Sequence, residues 1–238
     1  ASPEDIGRHA AQRALSRIGS QRISTCKSPV LFDAPIAASL LGSFVQAISG
    51  SSLYKNLTFL DKSLGTKVFP ESICIDENPF LTGEMGSAPF DDEGVKVRPR
   101  LVVENGVVNG YFLSSYSARR LNMESTGNAG GSHNLRIFDK NNVDKRTLTE
   151  MLRLMGNGLF VTELMGQGIN MITGDYSRGA SGFWIQNGKI AFPVYEITIA
   201  GNLLEMFQNI VAIGNDEYRK GAKTTGSILI EIMTIGGK

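Results

Sequence analysis

Hydrophobic and polar positions change period along this chain, and the changes mark its elements. The opening SPEDIGRHAAQRALSRIG repeats Ile6, Ala10, Ala14 and Ile18 every four residues, with Arg8, Arg13 and Arg17 off that face, which predicts an amphipathic helix. Ser2 is placed to cap it, Pro3 suits its first position, Glu4 and Asp5 complement its positive end, and Gly19 is expected to stop it. KSPVLFDA reads as a short buried strand. PIAASLLGSFVQAISG then reads as a helix opened by Pro35 and closed by Gly50, burying Ile36, Leu40, Leu41, Phe44 and Ile48. That helix carries no charge, so it is expected deep in the packing.

VFPESICIDENP is a strand bounded by prolines, and from residue 90 the period falls to two. RPRLVVENGVVNGYFLSSY holds two β-rich runs around Asn105-Gly106, and FWIQNGKIAFPVYEITI repeats the device around Asn187-Gly188. Asn-Gly suits a tight hairpin because both central residues need positive φ. The two hairpins echo each other without forming a true repeat. Residues 146–155 read as a short helix, GLFVTEL and GINMITG as strands, GNLLEMFQNIVAIG as a helix–strand junction, and GSILIEIMTI as a closing strand. Strands dominate and helices are segregated from them. The expected fold is α+β, a mostly antiparallel, barrel-like sheet core with Asn-Gly hairpins and a few packed helices, forming one domain over residues 1–238.

Composition narrows the function. Lys and Arg number 24 against 23 Asp and Glu, so no global field draws the chain to nucleic acid or to a membrane surface. No apolar run approaches the roughly 18 residues of a membrane span, and no stretch reads as a signal peptide. Cys26 and Cys74 lack CxxC spacing, which suits a reducing, cytoplasmic compartment. A helix signal directly after Ala1 reads as a cut at a domain boundary. Glycines number 27, clustered in 127–131, 156–182 and 214–226, where tight turns and barrel corners explain most of them.

Much chemistry is missing. Two His and two Cys, with no HExxH or HxH, make a metal site of this chain's own residues improbable. GFWIQNGK fails the Walker spacing, and GNG at 156–158 and GQG at 166–168 lack the third glycine of a dinucleotide fingerprint. There is no GxSxG, and a serine triad would have only His9, read as a solvated helix histidine, or His133 to recruit. The densest polar island is TGDYSRGASG, where Asp175, Tyr176, Ser177 and Arg178 stand in sequence. One reading is a loop whose Asp175 and Arg178 satisfy each other. The other is a polar wall for a peptide or partner chain, with Arg178 available to a carboxylate. Arg119 and Arg120, and His133 in GNAGGSHN, lie in a second polar, glycine-rich stretch.

TELMGQG, ITGDYSRGASGFW, NGKIAFPVYEITIAGNL and NIVAIGND, in that order, resemble the PmbA/TldE branch of the TldD/PmbA metalloprotease family. SPEDIGRHAAQRALSRIGSQRISTCKSPVLF, SAPFDDEGV, SSYSARRL and STGNAGGSHN are similar to the earlier half of the same C-terminal domain, so the resemblance runs from about residue 2 onward. It implies a missing N-terminal domain and a bacterial, cytosolic, heteromeric protease whose TldD-type subunit carries the metal, expected to be zinc, on HExxxH and a later cysteine. Aligned on this chain, Leu41 and Gly42 stand where His and Glu would be, Gln46 where the second His would be, and Thr225 near the cysteine. None of them serves as a ligand, so the resemblance implies no cofactor here. It implies instead a subunit that completes the peptide cleft of a metal-bearing partner, with an extended substrate, and with Asp175 to Arg178, His133 and Arg119 as candidate contacts. An isolated copy is expected to be able to form a homodimer through the surface meant for the sister chain. The competing expectation is a non-enzymatic modulator that docks on a protein such as DNA gyrase, with no direct nucleic-acid contact; a third is a serine hydrolase using His133.

Overall fold

The computed structural model describes residues 2–141 and 146–237. In chain order its elements are α1 (Pro3–Leu15), β1 (Cys26–Phe32), α2 (Ala34–Ala47), α3 (Gly50–Tyr54), β2 (Ile73–Asn78), β3 (Arg100–Glu104), β4 (Val107–Val108), α4 (Ser115–Arg120) and β5 (Asn134–Asp139). There follow α5 (Leu148–Met155), β6 (Gly158–Met165), β7 (Asp175–Gln186), β8 (Lys189–Asn202), α6 (Leu203–Gln208), β9 (Ile210–Ile213), β10 (Tyr218–Lys220), β11 (Lys223–Thr225) and β12 (Ile228–Gly236). The fold is α+β, as the change of period predicts.

Both Asn-Gly pairs turn hairpins. Asn105 and Gly106 have φ of 52° and 77°, Asn187 and Gly188 50° and 71°, as a type I′ turn requires. The second pair joins β7 to β8, the longest pairing in the molecule. β1, β6, β7, β8 and β12 pair in that order, and β12 returns to β1, so this sheet closes on itself; β9 extends it beside β12. Every pairing in it is antiparallel except β1 with β6. The second sheet runs β10-β11-β5-β2-β3-β4, with β11 and β5 parallel.

α2 lies where the two sheets meet. Eight of its 14 residues are buried, and Leu40, Leu41 and Phe44 join one core with Phe32 and Val161 of the closed sheet and Ile73, Ile75, Val103 and Ile137 of the other. The Phe44 ring meets Phe69 edge-on at 5.0 Å and Phe207 at 5.9 Å, spacings typical of favourable aromatic pairs. β1 shows why its sequence is apolar on both faces. Val30 and Phe32 point to the α2 core, while Leu31 points the other way into a second cluster with Met151, Leu152 and Met155 of α5. α5 is held by a reciprocal cap between Thr147 and Glu150.

The structure corrects four expectations. α1 forms with Ser2 Oγ accepting from Asp5 N at 3.2 Å, but it ends at Leu15, short of Gly19, and buries no residue. Ile6 and Ile18 are 61% and 73% exposed; periodicity finds a helix and its stripe but not what covers the stripe. What ties this region down is polar: Arg13 donates to the Thr162 carbonyl at 3.1 Å and Arg17 pairs with Glu163. Gly50 does not close α2 but opens α3, where Ser49 is the cap; a Cβ there would stand 2.2 Å from Ser117 Oγ. GINMITG is a turn, because Asn170 Oδ1 accepts the Ile172 amide and its carbonyl accepts Gly174 N. TGDYSRGASG, conversely, is no loop: from Asp175 onward it is strand β7.

Opposite sides of α2 should answer oppositely to substitution. Phe44→Ala is expected to cost about 3–5 kcal/mol, lowering the melting temperature by roughly 10 °C. Gly42→Ala meets nothing within 4 Å and should stabilise by about 0.5–1 kcal/mol through helix propensity. Thermal and urea unfolding of the two variants measure both.

Candidate functional site

Packing Leu40, Leu41 and Phe44 inward turns the other side of α2 outward, and Gln46 emerges exposed near its end. There it lines a cleft of about 400 Å³ with Gln167, Ile169, Met171 and Arg178. The segment carrying Gln167, Ile169 and Met171 follows β6 and folds back along β7. Ser177 N donates to Gly168 O at 2.6 Å, Asn170 N to Asp175 O at 2.8 Å, and Phe59 N to Met171 O at 2.9 Å. Gly168 is required by that approach, since a Cβ would overlap the Ser177 carbonyl oxygen.

Alternation on β7 divides the polar island. Asp175 and Ser177 face solvent, while Tyr176, Arg178 and Ala180 point inward. Asp175 accepts from Thr173 Oγ1 at 2.6 Å, and Arg178 Nη2 donates to Gly166 O at 2.6 Å. The two charges therefore do not satisfy each other, contrary to the loop reading. Tyr176 is 2% exposed; burial pushes its phenol up to about 12, against a smaller downward pull from Arg178. Its hydroxyl and Arg178 Nε have no hydrogen-bond partner among the described residues.

Gln46 and Arg178, reached from separate features of the sequence, meet in this cleft. The other candidates lie elsewhere. Leu41 is in the core, and five residues of regular helix set it about 140° around α2 from Gln46. Gly42 lies one turn before Gln46 on the same side. Thr225 is fully buried in β11, which packs on α2, and donates to the Gly226 carbonyl at 2.8 Å. Arg119 is exposed in the last turn of α4. His133 is nearly buried, with Nδ1 3.1 Å from Gly86 O and Nε2 2.9 Å from Gly127 O. Each ring nitrogen faces a backbone carbonyl, to which the one bearing the proton donates, and no serine among the described residues is hydrogen-bonded to the ring, so the triad reading has no geometry to stand on. His9, on α1, is exposed.

A buried ionic network escaped the sequence reading. Glu77, 1% exposed, accepts from Arg100 Nε at 2.7 Å, Asn128 Nδ2 at 2.8 Å and the His133 amide at 2.8 Å. Arg100 Nη2 also reaches Asn128 Oδ1 at 3.0 Å. The network pins the glycine-rich loop at 127–131 to β2. Its signal was present: Ile73, Ile75 and Glu77 alternate onto one buried face of β2, and an inward carboxylate demands a cation.

None of these groups makes a metal centre. No set of three or more His, Cys, Asp or Glu converges among the described residues. The cleft itself offers two neutral amides and a guanidinium, which repels a metal cation. Cys26 and Cys74 are free thiols.

The model of the PmbA/TldA metallopeptidase C-terminal domain matches residues 25–237. The chain belongs to that family. It is 47% identical over 237 residues to metalloprotease PmbA of Escherichia coli O157:H7, covering 100% of this chain and 52% of that protein. Among solved structures it resembles a protein named as a modulator of DNA gyrase from Thermotoga maritima, with TM-score 0.90 and 36% identity over 99% of this chain and 56% of that one. TldE from Thermococcus kodakarensis superposes with TM-score 0.83 and 27% identity, covering 98% and 55%. The chain thus spans about half the length of the curated relatives it matches. Family members bear metalloprotease names, yet the residues in this cleft do not fit a metal. No helix among the described residues is long and apolar enough to cross a membrane.

Two measurements test this geometry. Glu77→Ala strands Arg100 in the interior and should cost about 3–5 kcal/mol, whereas exposed Arg119→Ala should stay within about 0.5 kcal/mol; urea unfolding compares them. The Tyr176 phenol keeps its proton to higher pH folded than unfolded, so its stabilising contribution is complete below pH 10.0 and is lost as pH rises toward about 12. The stability difference between wild type and Tyr176→Phe should be flat near neutrality and move in favour of phenylalanine across that window. A difference that stays constant contradicts burial of the phenol.

Proposed function

We propose that this chain is the C-terminal domain of a metal-free subunit that completes the peptide-binding cleft of a metal-bearing TldD-type partner. The observation that carries the reading is the makeup of the Gln46–Arg178 cleft: it is polar, open and peptide-sized, in a metallopeptidase family, with no group able to hold the metal. The TldE likeness supports the pairing with a partner subunit. In this reading zinc resides in the partner, the substrate is an extended peptide, and the chain works in the cytoplasm. Gln46 and Arg178 line the cleft directly, Tyr176 packs beside Arg178 on the core side, and Ser177 and Asp175, on the opposite face of β7, stay outside it. Exposed Arg119 lies away from the cleft, on a surface for contact with the sister chain, while nearly buried His133 orders the glycine-rich loop behind it. Without that chain, the same surface serves for a homodimer.

The test is reconstitution. The full-length subunit and the TldD-type protein of the same organism are assayed separately and mixed, against a fluorogenic unstructured peptide. Cleavage should be negligible with this subunit alone and rise at least about tenfold on mixing over the partner alone. A mixture no more active than its parts, with a stable complex to gyrase instead, would replace this reading with the protein-docking modulator.

A further inference from the structure

The cleft holds a positive charge that no carboxylate of the described residues pairs with. Arg178 occupies an inward position of β7, between Tyr176 and fully buried Ala180, and its cross-strand neighbour is fully buried Ile199. Long charged side chains reach such positions when the head finds a partner. Among the described residues no carboxylate lies within ion-pair distance of Arg178. It donates to the Gly166 carbonyl, and its enclosed Nε, on the side of Tyr176, has no hydrogen-bond partner among the described residues. Asp175 is on the opposite face, already bonded to Thr173. The remaining residues of the cleft, Gln46, Gln167, Ile169 and Met171, are neutral.

A planar guanidinium at the edge of a cavity of about 400 Å³ matches a planar carboxylate. A phosphate carries more charge and calls for a second cation, which the lining lacks. Two amides with donors and acceptors of their own, Gln46 and Gln167, suit the CO and NH groups of a peptide backbone. Ile169 and Met171 supply apolar contact.

We propose that Arg178 is a carboxylate-recognition residue, and that the cleft takes a short peptide through a carboxylate at its free C-terminus or on an acidic side chain. This rests on reading the cleft as a peptide site and adds the group that is recognised. Substrates or products would then be selected by an anionic end seated on Arg178.

Calorimetric titration of the full chain tests it with three probes: acetyl-trialanine, its C-terminal amide, and an amidated tripeptide with one aspartate. At least one of the two acids should bind about tenfold or more tightly than the neutral amide, and the tighter acid identifies the source of the carboxylate. Arg178→Gln should reduce its affinity to that of the amide, and Arg178→Lys should restore part of it. Gln46→Glu, on the exposed side of α2 where folding is undisturbed, supplies an internal carboxylate and should cause the same loss. Equal binding of acid and amide, an acid affinity unchanged in Arg178→Gln, or no binding of any probe at millimolar concentration overturns the proposal. The readout needs no partner chain. Failure here with activation intact in the reconstituted mixture removes only the carboxylate recognition; success here without activation removes only the partnership.

Discussion

The structure depends on burying one uncharged helix between two sheets. α2 meets the closed sheet on one side and the open sheet on the other, and the rings of Phe44, Phe69 and Phe207 close the gap between them. A charge on the inner side of α2 would be stranded among apolar side chains at a cost of several kcal/mol, which explains why the helix is built from Ala, Leu, Ser and Phe. Packing this side fixes the rotation of α2 and so decides that Gln46, rather than Leu41, faces the cleft. One wall of the cleft is therefore carried by a helix whose rotation is set by hydrophobic packing.

Around that frame, polar groups are used where the chain must approach itself closely. Glu77 and Arg100 face each other across β2 and β3, and with Asn128 they anchor a loop too rich in glycine to order itself. Removing either charge leaves the other buried, so the pair acts as a clamp more than as a net source of stability. Gly168 lets the segment after β6 lie against β7, and that contact builds one wall of the cleft. Arg178 is the exception, a charge brought to the rim of the core without a counterion among the described residues.

Legibility in the sequence followed the range of the interactions. The Asn-Gly hairpins, the buried helix at 34–47 and the closing strand are set by local φ requirements and periodicity, and they were readable. α1 was read as a helix correctly, but its apolar stripe is exposed, because a stripe does not name its partner. At Asp175–Arg178 the surrounding glycines leave both a loop and a polar wall open to sequence reasoning, and the strand settles against the loop. In the sheet those glycines permit close packing instead: a Cβ at Gly182 would overlap the Phe160 carbonyl oxygen. The cleft was half legible. Gln46 came from the family resemblance and Arg178 from local polarity, while their meeting is long-range and Gln167, though inside GQG and TELMGQG, carried no sign that it faces them.

The central claim is that this cleft, in a family of metallopeptidase name, is built to hold a peptide and not a metal. Equilibrium dialysis of the full chain against zinc at neutral pH, with metal determined by mass spectrometry, addresses it directly. The account predicts far less than one zinc per chain, unchanged by Gln46→Ala. One tightly held zinc per chain, lost in Gln46→Ala, would contradict it.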